Sequence, residues 1–407
     1  MRRHLGGLFF ILISSFSVAV GASVSTAATV YPSKEFDIPQ DEPFHKMAQF
    51  WVDVYSKYTS KQGLIHDTED VTRVYETVDF DGLSQKRANA LIKVTKMKWR
   101  AVLKKCHEKQ RNPDQLSEDE RRVFAMFPED EGPRRFLNAT GKKRMRFQLG
   151  QKDHFESAVA QSGRYLALME DIFKAEGVPP ELTRLPFVES SFNLKARSKV
   201  GASGIWQFMR TTGKLFLKVN DVVDERNDPI RATESAARLL KQNYDSLESW
   251  PLAVIAYNHG RMGMMRAVRK VGSNELREVL TNYKSRSFGF ASRNFFWELI
   301  AAVHVENNKQ MYFPKLKYSQ LAQYTPVTVK DFISARDLAQ GLGIPRHEFE
   351  DYNPAFTNGV FQGSRRIPPG YPVRIPDEWG KDKGGVTKAF DERYELIPKK
   401  FKHPRQR

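Results

Sequence analysis

The sequence predicts a mainly α-helical protein that closes with a small βααβ module, and three observations carry that expectation. Apolar residues recur at helical spacing through most of the chain up to about residue 307. After Pro314 the texture changes to short alternating runs separated by turn signals. Cys106 is the single cysteine, so no internal disulfide braces the fold and stability must come from core packing.

The elements follow in order. Residues 1–28 have the layout of a secretory signal: Arg2, Arg3 and His4, an apolar run from Leu8 to about Val20, then small residues around Ala22 and Ala27. The run is broken by serines and is short for a membrane span. No cysteine stands near the cleavage region, so a lipoprotein anchor is not expected. Residues 29–45 read as a linker. Residues 46–150 read as a helical N-terminal region, with Phe50, Trp51, Tyr55 and Tyr58 on one helix face. Leu91, Ile92, Val94, Met97, Trp99, Val102 and Leu103 lie on another. Residues 151–314 read as a helical domain. One helix carries Phe155, Val159, Tyr165, Ile172 and Phe173 and stops at Gly177-Val178-Pro179-Pro180. A short helix ends near Glu189. Others cover Thr233–Leu247, start at Leu252, and run from Phe295 to Val305. Residues 325–376 form the βααβ module. Its first strand lies at Val327–Val329, its helices at Ala335–Leu342 and His347–Tyr352, and its last strand ends at Pro376. Residues 377–407, rich in Lys and Gly, are expected to be a disordered basic tail.

The 407 residues include 65 Lys and Arg against 48 Asp and Glu, a formal charge of +17. Such a surface attracts polyanions. Export from the cytoplasm argues against nucleic acid as the partner and for an acidic cell-wall polymer. No His, Cys or acid cluster has metal-ligand spacing, so neither a metal nor a cofactor is expected.

Three short motifs carry the chemistry. Leu185-Pro186-Phe187-Val188-Glu189-Ser190 sets a carboxyl among apolar side chains, where ionisation is costly and the pKa should rise. A general acid for glycosidic cleavage needs that rise. In Gly201-Ala202-Ser203-Gly204-Ile205-Trp206-Gln207-Phe208-Met209, the glycines permit positive φ or close approach of a sugar. Gln207 offers a donor and an acceptor to an acetamido group, and Trp206 reads as core. Ala256-Tyr257-Asn258-His259-Gly260 follows, with His259 read as structural. Most glycosidases use two carboxyls. Asp224, Glu225 and Asp228 are the candidates for a second, but their Asp-Pro context favours helix capping.

With these three motifs in this order the chain resembles the lytic transglycosylases of the lysozyme-like superfamily, nearest to the membrane-bound murein transglycosylase D group. The resemblance implies a lysozyme-like catalytic domain over 151–314 and peptidoglycan glycan strands as the partner. The signal layout of residues 1–28 points to periplasmic residence, and peripheral association with the cell envelope stays open. Oligomeric state stays open. Carried over by position, Glu189 is the catalytic acid and base. Ser198 and Gln207 contact the sugar chain, Met209 lines the cleft, and Tyr257 and Asn258 bind substrate. The implied reaction cleaves the bond from N-acetylmuramic acid to N-acetylglucosamine without water and leaves a 1,6-anhydro end. In Asn294-Phe295-Phe296 the family often has tyrosine where Phe296 stands, so a hydroxyl is missing. The C-terminal module resembles a degenerate LysM unit, for which glycan binding and a packing role are both open. A hydrolytic muramidase and a non-catalytic wall-binding scaffold remain the alternatives.

Overall fold

A computed structural model describes residues 42–319, 323–377 and 397–398. The expected signal 1–28, most of the 29–45 linker and most of the 377–407 tail lie outside the described residues. No helix among the described residues is long and apolar enough to cross a membrane.

The fold is mainly helical, as the sequence predicts. Helix α1 (Glu42–Ser56) begins inside the stretch read as linker and buries Phe50, Trp51, Val54 and Tyr55. The region expected to be helical also forms a sheet. Strands β1 (Gln62–Asp67) and β2 (Val74–Asp79) make a hairpin. Helices α2 (Gln85–Glu108), α3 (Glu118–Phe124) and α4 (Arg135–Ala139) follow, and β3 (Met145–Leu149) returns to the free edge of β1. The order is β2-β1-β3, all antiparallel. These strands are short and mix Gln, His, Asp, Glu and Arg with their apolar residues, which hides their period. On α2 the buried face is Ala88, Thr95, Trp99, Leu103 and Cys106, whereas Val94 and Met97 are exposed, contrary to the sequence reading. The sheet, α2, α3 and α4 share a small core of their own.

The single helix expected from Phe155 to Phe173 is two: α5 (Lys152–Ser162) and α6 (Leu166–Ala175), broken at Gly163-Arg164-Tyr165. A 3-10 turn, Pro180–Arg184, leads into α7 (Leu185–Ser190). After the glycine-rich loop come α8 (Arg210–Gly213), α9 (Pro229–Leu247), α10 (Trp250–His259), α11 (Arg261–Val271), α12 (Leu276–Asn282), α13 (Phe290–Asn307) and α14 (Lys309–Tyr312). Helix α13 is the spine. It is apolar nearly all round, as a helix enclosed on every side must be, and it packs against α1, α7 and α10. Trp51 on α1 donates from Nε1 to Asn294 Oδ1 on α13 at 3.3 Å.

The C-terminal module holds β4 (Tyr324–Thr328), α15 (Ala335–Gly341), α16 (Arg346–Tyr352), a further short helix α17 (Asn358–Phe361) that the sequence reading lacked, and β5 (Val373–Pro376). Strands β4 and β5 pair antiparallel over a separate core. The stretch expected to be disordered contributes β6 (Ile397–Pro398), which pairs with the other side of β4. The module is fastened to the segment ahead of α9. Asp224 N–H donates to Ala355 O at 2.7 Å, Thr357 N–H donates to Val222 O at 3.0 Å, and Tyr371 Oη donates to Glu225 at 3.3 Å.

Candidate active site

Glu189 occupies the last turn but one residue of α7. That helix is held at its start by Arg184, whose guanidinium pairs with Glu306 of α13 (2.7 Å) and with Glu170 of α6. Its end is stopped abruptly. Ser191 and Phe192 both have positive φ (49° and 55°), costly for residues with a β-carbon. Phe192 N–H donates to Pro186 O at 3.0 Å, and its fully buried ring lies against Phe187 at 5.4 Å, which fixes this conformation. Two consecutive left-handed residues directly after a short helix present Glu189 at a chain reversal.

Glu189 itself is half-buried. Burial pushes its carboxyl up to about 7. That is the shift expected from its apolar neighbours.

The glycine-rich loop meets α7 through Ser190, whose Oγ donates to Ile205 O at 2.9 Å. Gly204 has φ +75°, and a β-carbon there would stand 1.9 Å from Arg226 O, so only glycine fits. Gln207 is also left-handed (φ 48°) and spends its amide N–H on Gly204 O at 2.8 Å, while its Oε1 accepts nothing among the described residues. An acceptor is thereby left for a ligand. Trp206 is wholly buried, donates to Thr233 Oγ1 at 2.9 Å and stacks on Phe173 at 5.6 Å, so it is core. Ser198 closes a tight turn, its Oγ accepting from Ala202 N–H at 2.9 Å. Met209 is exposed at the N-terminus of α8.

Tyr257 joins the loop to α10, donating from its hydroxyl to Trp206 O at 2.8 Å. Burial, and then the negative charge of Glu189, raise its pKa well above the usual tyrosine value. Asn258 is exposed. Its Oδ1 accepts from Ser292 Oγ at 3.1 Å, which ties the motif to α13. His259 lies on Phe288, edge to face at 5.1 Å, and is held below its ordinary value by burial and by Arg266. The structure therefore gathers Glu189, Gln207 and Tyr257 around one loop. Ser198, Met209 and Asn258 lie further along its rim segments, and no hydrogen bond links any of them to Glu189.

Two features escaped sequence reasoning. The first is Glu298 on α13, half-buried, whose carboxyl is pushed up to about 8 by burial first and then by the charge of Glu189, with Arg146 opposing. It is a lone carboxyl in Phe295-Phe296-Trp297-Glu298-Leu299-Ile300, the same signal that marked Glu189. The second is Arg226. Its buried guanidinium donates to Gly201 O (2.9 Å) and Phe208 O (3.0 Å), clamping both ends of the glycine-rich loop, and pairs with Asp224 at 2.7 Å. Asp224 thus serves the loop. Asp228 caps α9 through Ile230 N–H (2.9 Å) and Arg231 N–H (3.1 Å), and Glu225 binds Lys218 N–H at 2.7 Å. Asp224 and Asp228 thus act as caps, as their sequence context favours, whereas Glu225 caps no helix and accepts from Lys218 N–H and Tyr371 Oη. Phe296 is fully buried against Trp297 at 5.3 Å. Among the described residues no group of three or more His, Cys, Asp or Glu is placed to hold a metal ion.

Residues 170–280, from α6 to α12, match the Transglycosylase SLT domain family. The membrane-bound lytic murein transglycosylase D of Escherichia coli strain K12 is 27% identical over 170 residues, which is 41% of this chain and 37% of that protein. The protein of the same name from Escherichia coli O6:H1 gives the same figures. The matched stretch thus spans little more than a third of these relatives. The family match, residues 170–280, contains α7, the glycine-rich loop and α10, the elements that surround Glu189. Residues 170–280 are thus the part of this chain that is similar to a transglycosylase SLT domain.

Proposed function

We propose that this protein is a lytic transglycosylase of peptidoglycan, with Glu189 as its single acid and base. The observation that carries the proposal is the Glu189 carboxyl, held protonated up to about 7 beside a glycine-rich loop that keeps an amide acceptor free. An ordinary glutamate, titrating near ~4.3, would be ionised at neutral pH and unable to donate.

In this mechanism Glu189 gives its proton to the oxygen that links muramic C1 to the next sugar, and the C1–O bond breaks. The C6 hydroxyl oxygen of the same muramic residue then bonds to C1, and its proton returns to Glu189. Atoms balance without water, and the product is a 1,6-anhydro end. Glu298 supports this route over hydrolysis. A retaining or inverting hydrolase needs its second carboxyl ionised, and burial opposes ionisation of Glu298, with the charge of Glu189 adding to that once Glu189 has lost its proton. Gln207 Oε1 and Asn258 are assigned to the acetamido groups of the glycan. Tyr257 holds the loop in place, and Ser198 and Met209 form its outer wall. The catalytic body extends beyond the SLT match to include α5, α13 and α14, because α13 supplies Glu298 and packs on α7. The C-terminal module is assigned a bracing role. On this reading the protein acts at the cell envelope, exported by residues 1–28.

The test is mass spectrometry of products released from purified peptidoglycan by the protein and by Glu189→Gln. Anhydromuropeptides from the first alone support the proposal, with a loss of at least about 10²-fold in the variant. Reducing-end products would make the enzyme a muramidase. Release by neither, with wall binding retained, would make it a scaffold.

A further inference from the structure

A cavity of about 770 Å³ opens between the N-terminal sheet and the segment joining α12 to α13. It is lined by six cations, Lys96, Lys143, Arg146, Lys284, Arg286 and Arg293, and by one acid, Glu69. Glu69 is taken by Arg293 at 3.2 Å. Arg146 lies over the Phe290 ring at 4.3 Å, and the other four form no ion pair among the described residues. Five uncompensated positive charges around one hollow repel one another unless an anion enters. The field is felt locally: Lys96 is held below its usual value by burial first, then by Arg100 and Arg146. The size is that of an organic ligand site, larger than a single small ion requires.

The cavity adjoins the candidate active site. Arg146 lines it and also acts electrostatically on Glu298. Phe288 forms part of its wall and packs on His259, and Arg293 follows Ser292, the partner of Asn258. The cavity wall is thereby joined, through Phe288 on His259 and through Ser292 on Asn258, to the segment that carries Asn258.

We infer that this basic cavity binds the peptide stem of the muramic residue near the scissile bond, through the stem's free carboxylates. The inference rests on the proposed glycan substrate. A stem leaves the sugar from the lactyl group at C3 and carries several carboxylates on a short flexible chain. Its aliphatic parts find Met145, Phe288 and Phe290 in the same walls. The cavity is built jointly by the N-terminal region and the SLT-containing body, which gives the N-terminal region a role in substrate choice.

The experiment titrates the full chain with a free stem peptide and with the same peptide fully amidated, by calorimetry at low and high salt. It repeats both with Lys143→Gln/Lys284→Gln/Arg286→Gln, three exposed positions. Expected are binding of the carboxylate form that weakens with salt, and losses of about tenfold on amidation and in the triple variant. The ratio of turnover on peptide-bearing to peptide-free strands should fall in parallel. Equal binding of both peptides, or an unchanged affinity in the variant, overturns the inference. So does loss of acidic-vesicle binding in the variant without any peptide binding, which would make the cavity a membrane contact. If the triple variant melts early, Lys284→Glu carries the same comparison. Charge-dependent peptide binding without anhydro products would leave the cavity standing and remove the proposed reaction instead.

Discussion

Arg374 of the C-terminal module binds both carboxylate oxygens of Asp228 through one nitrogen, at 2.6 and 2.8 Å, while the same carboxylate caps α9. Asp228 lies four residues beyond Asp224, which neutralises the arginine that clamps the glycine-rich loop. Three steps thus connect strand β5 of the module to the backbone around the candidate cleft.

Arg374→Ala tests that connection. Removing one partner of a buried pair leaves an uncompensated charge and costs about 3–5 kcal/mol. Urea unfolding should show a loss in this range. Turnover should fall with it because the loop loosens. A variant with unchanged stability would mean that the module is only tethered.

The two loop glycines should behave differently. Gly201 has φ +90° but open space around its missing β-carbon, so Gly201→Ala costs about 1–2 kcal/mol of backbone strain. Gly204→Ala adds a collision with Arg226 O at 1.9 Å and must displace backbone. It should cost more than about 3 kcal/mol or prevent folding. Thermal melts of the pair decide this, and equal losses would contradict it.

Under the proposed mechanism activity should decline as pH rises through about 7, where the Glu189 carboxyl loses its proton. Glu298 retains its proton to about 8, so a second ionisation follows at higher pH. Glu298→Gln should leave the first limb near 7 and abolish the second. A parallel shift of the whole profile would show instead that Glu298 sets the acidity of Glu189.

Stability should follow the same protons. An unfolded glutamate titrates near ~4.3. Glu189 and Glu298 bind protons more tightly when folded, so their contribution is fully present below that value and is lost as pH rises through about 7 and 8. Glu298→Gln should match the parent near pH 4 and exceed it above pH 8 by on the order of 1 kcal/mol. Urea midpoints at the two pH values measure the difference.

The helices of the SLT body were legible because their apolar periods are long, and Glu189 was legible because a charge inside an apolar run is conspicuous. Glu298 shows the same pattern and was passed over, since it lies more than a hundred residues away and only folding brings α13 against α7. The three-stranded sheet was hidden by strands of five and six residues with bulges and charges. The break at Gly163 was hidden because both halves of the chain there continue one apolar face. Arg226 could not be read at all: its acceptors are main-chain oxygens, and main-chain oxygens leave no trace in a sequence.

Trp51 and its partner Asn294 are separated by 243 positions. During synthesis Trp51 therefore waits for α13 before its indole N–H has its partner, although Tyr55 already has Phe155 of α5 to pack on, and such late closures are slow steps in folding. Until then Glu189 sits in a hydrated, unfinished segment with the acidity of any glutamate. The shifted acidity of Glu189 arrives with the completed chain, long after the residue itself has been made.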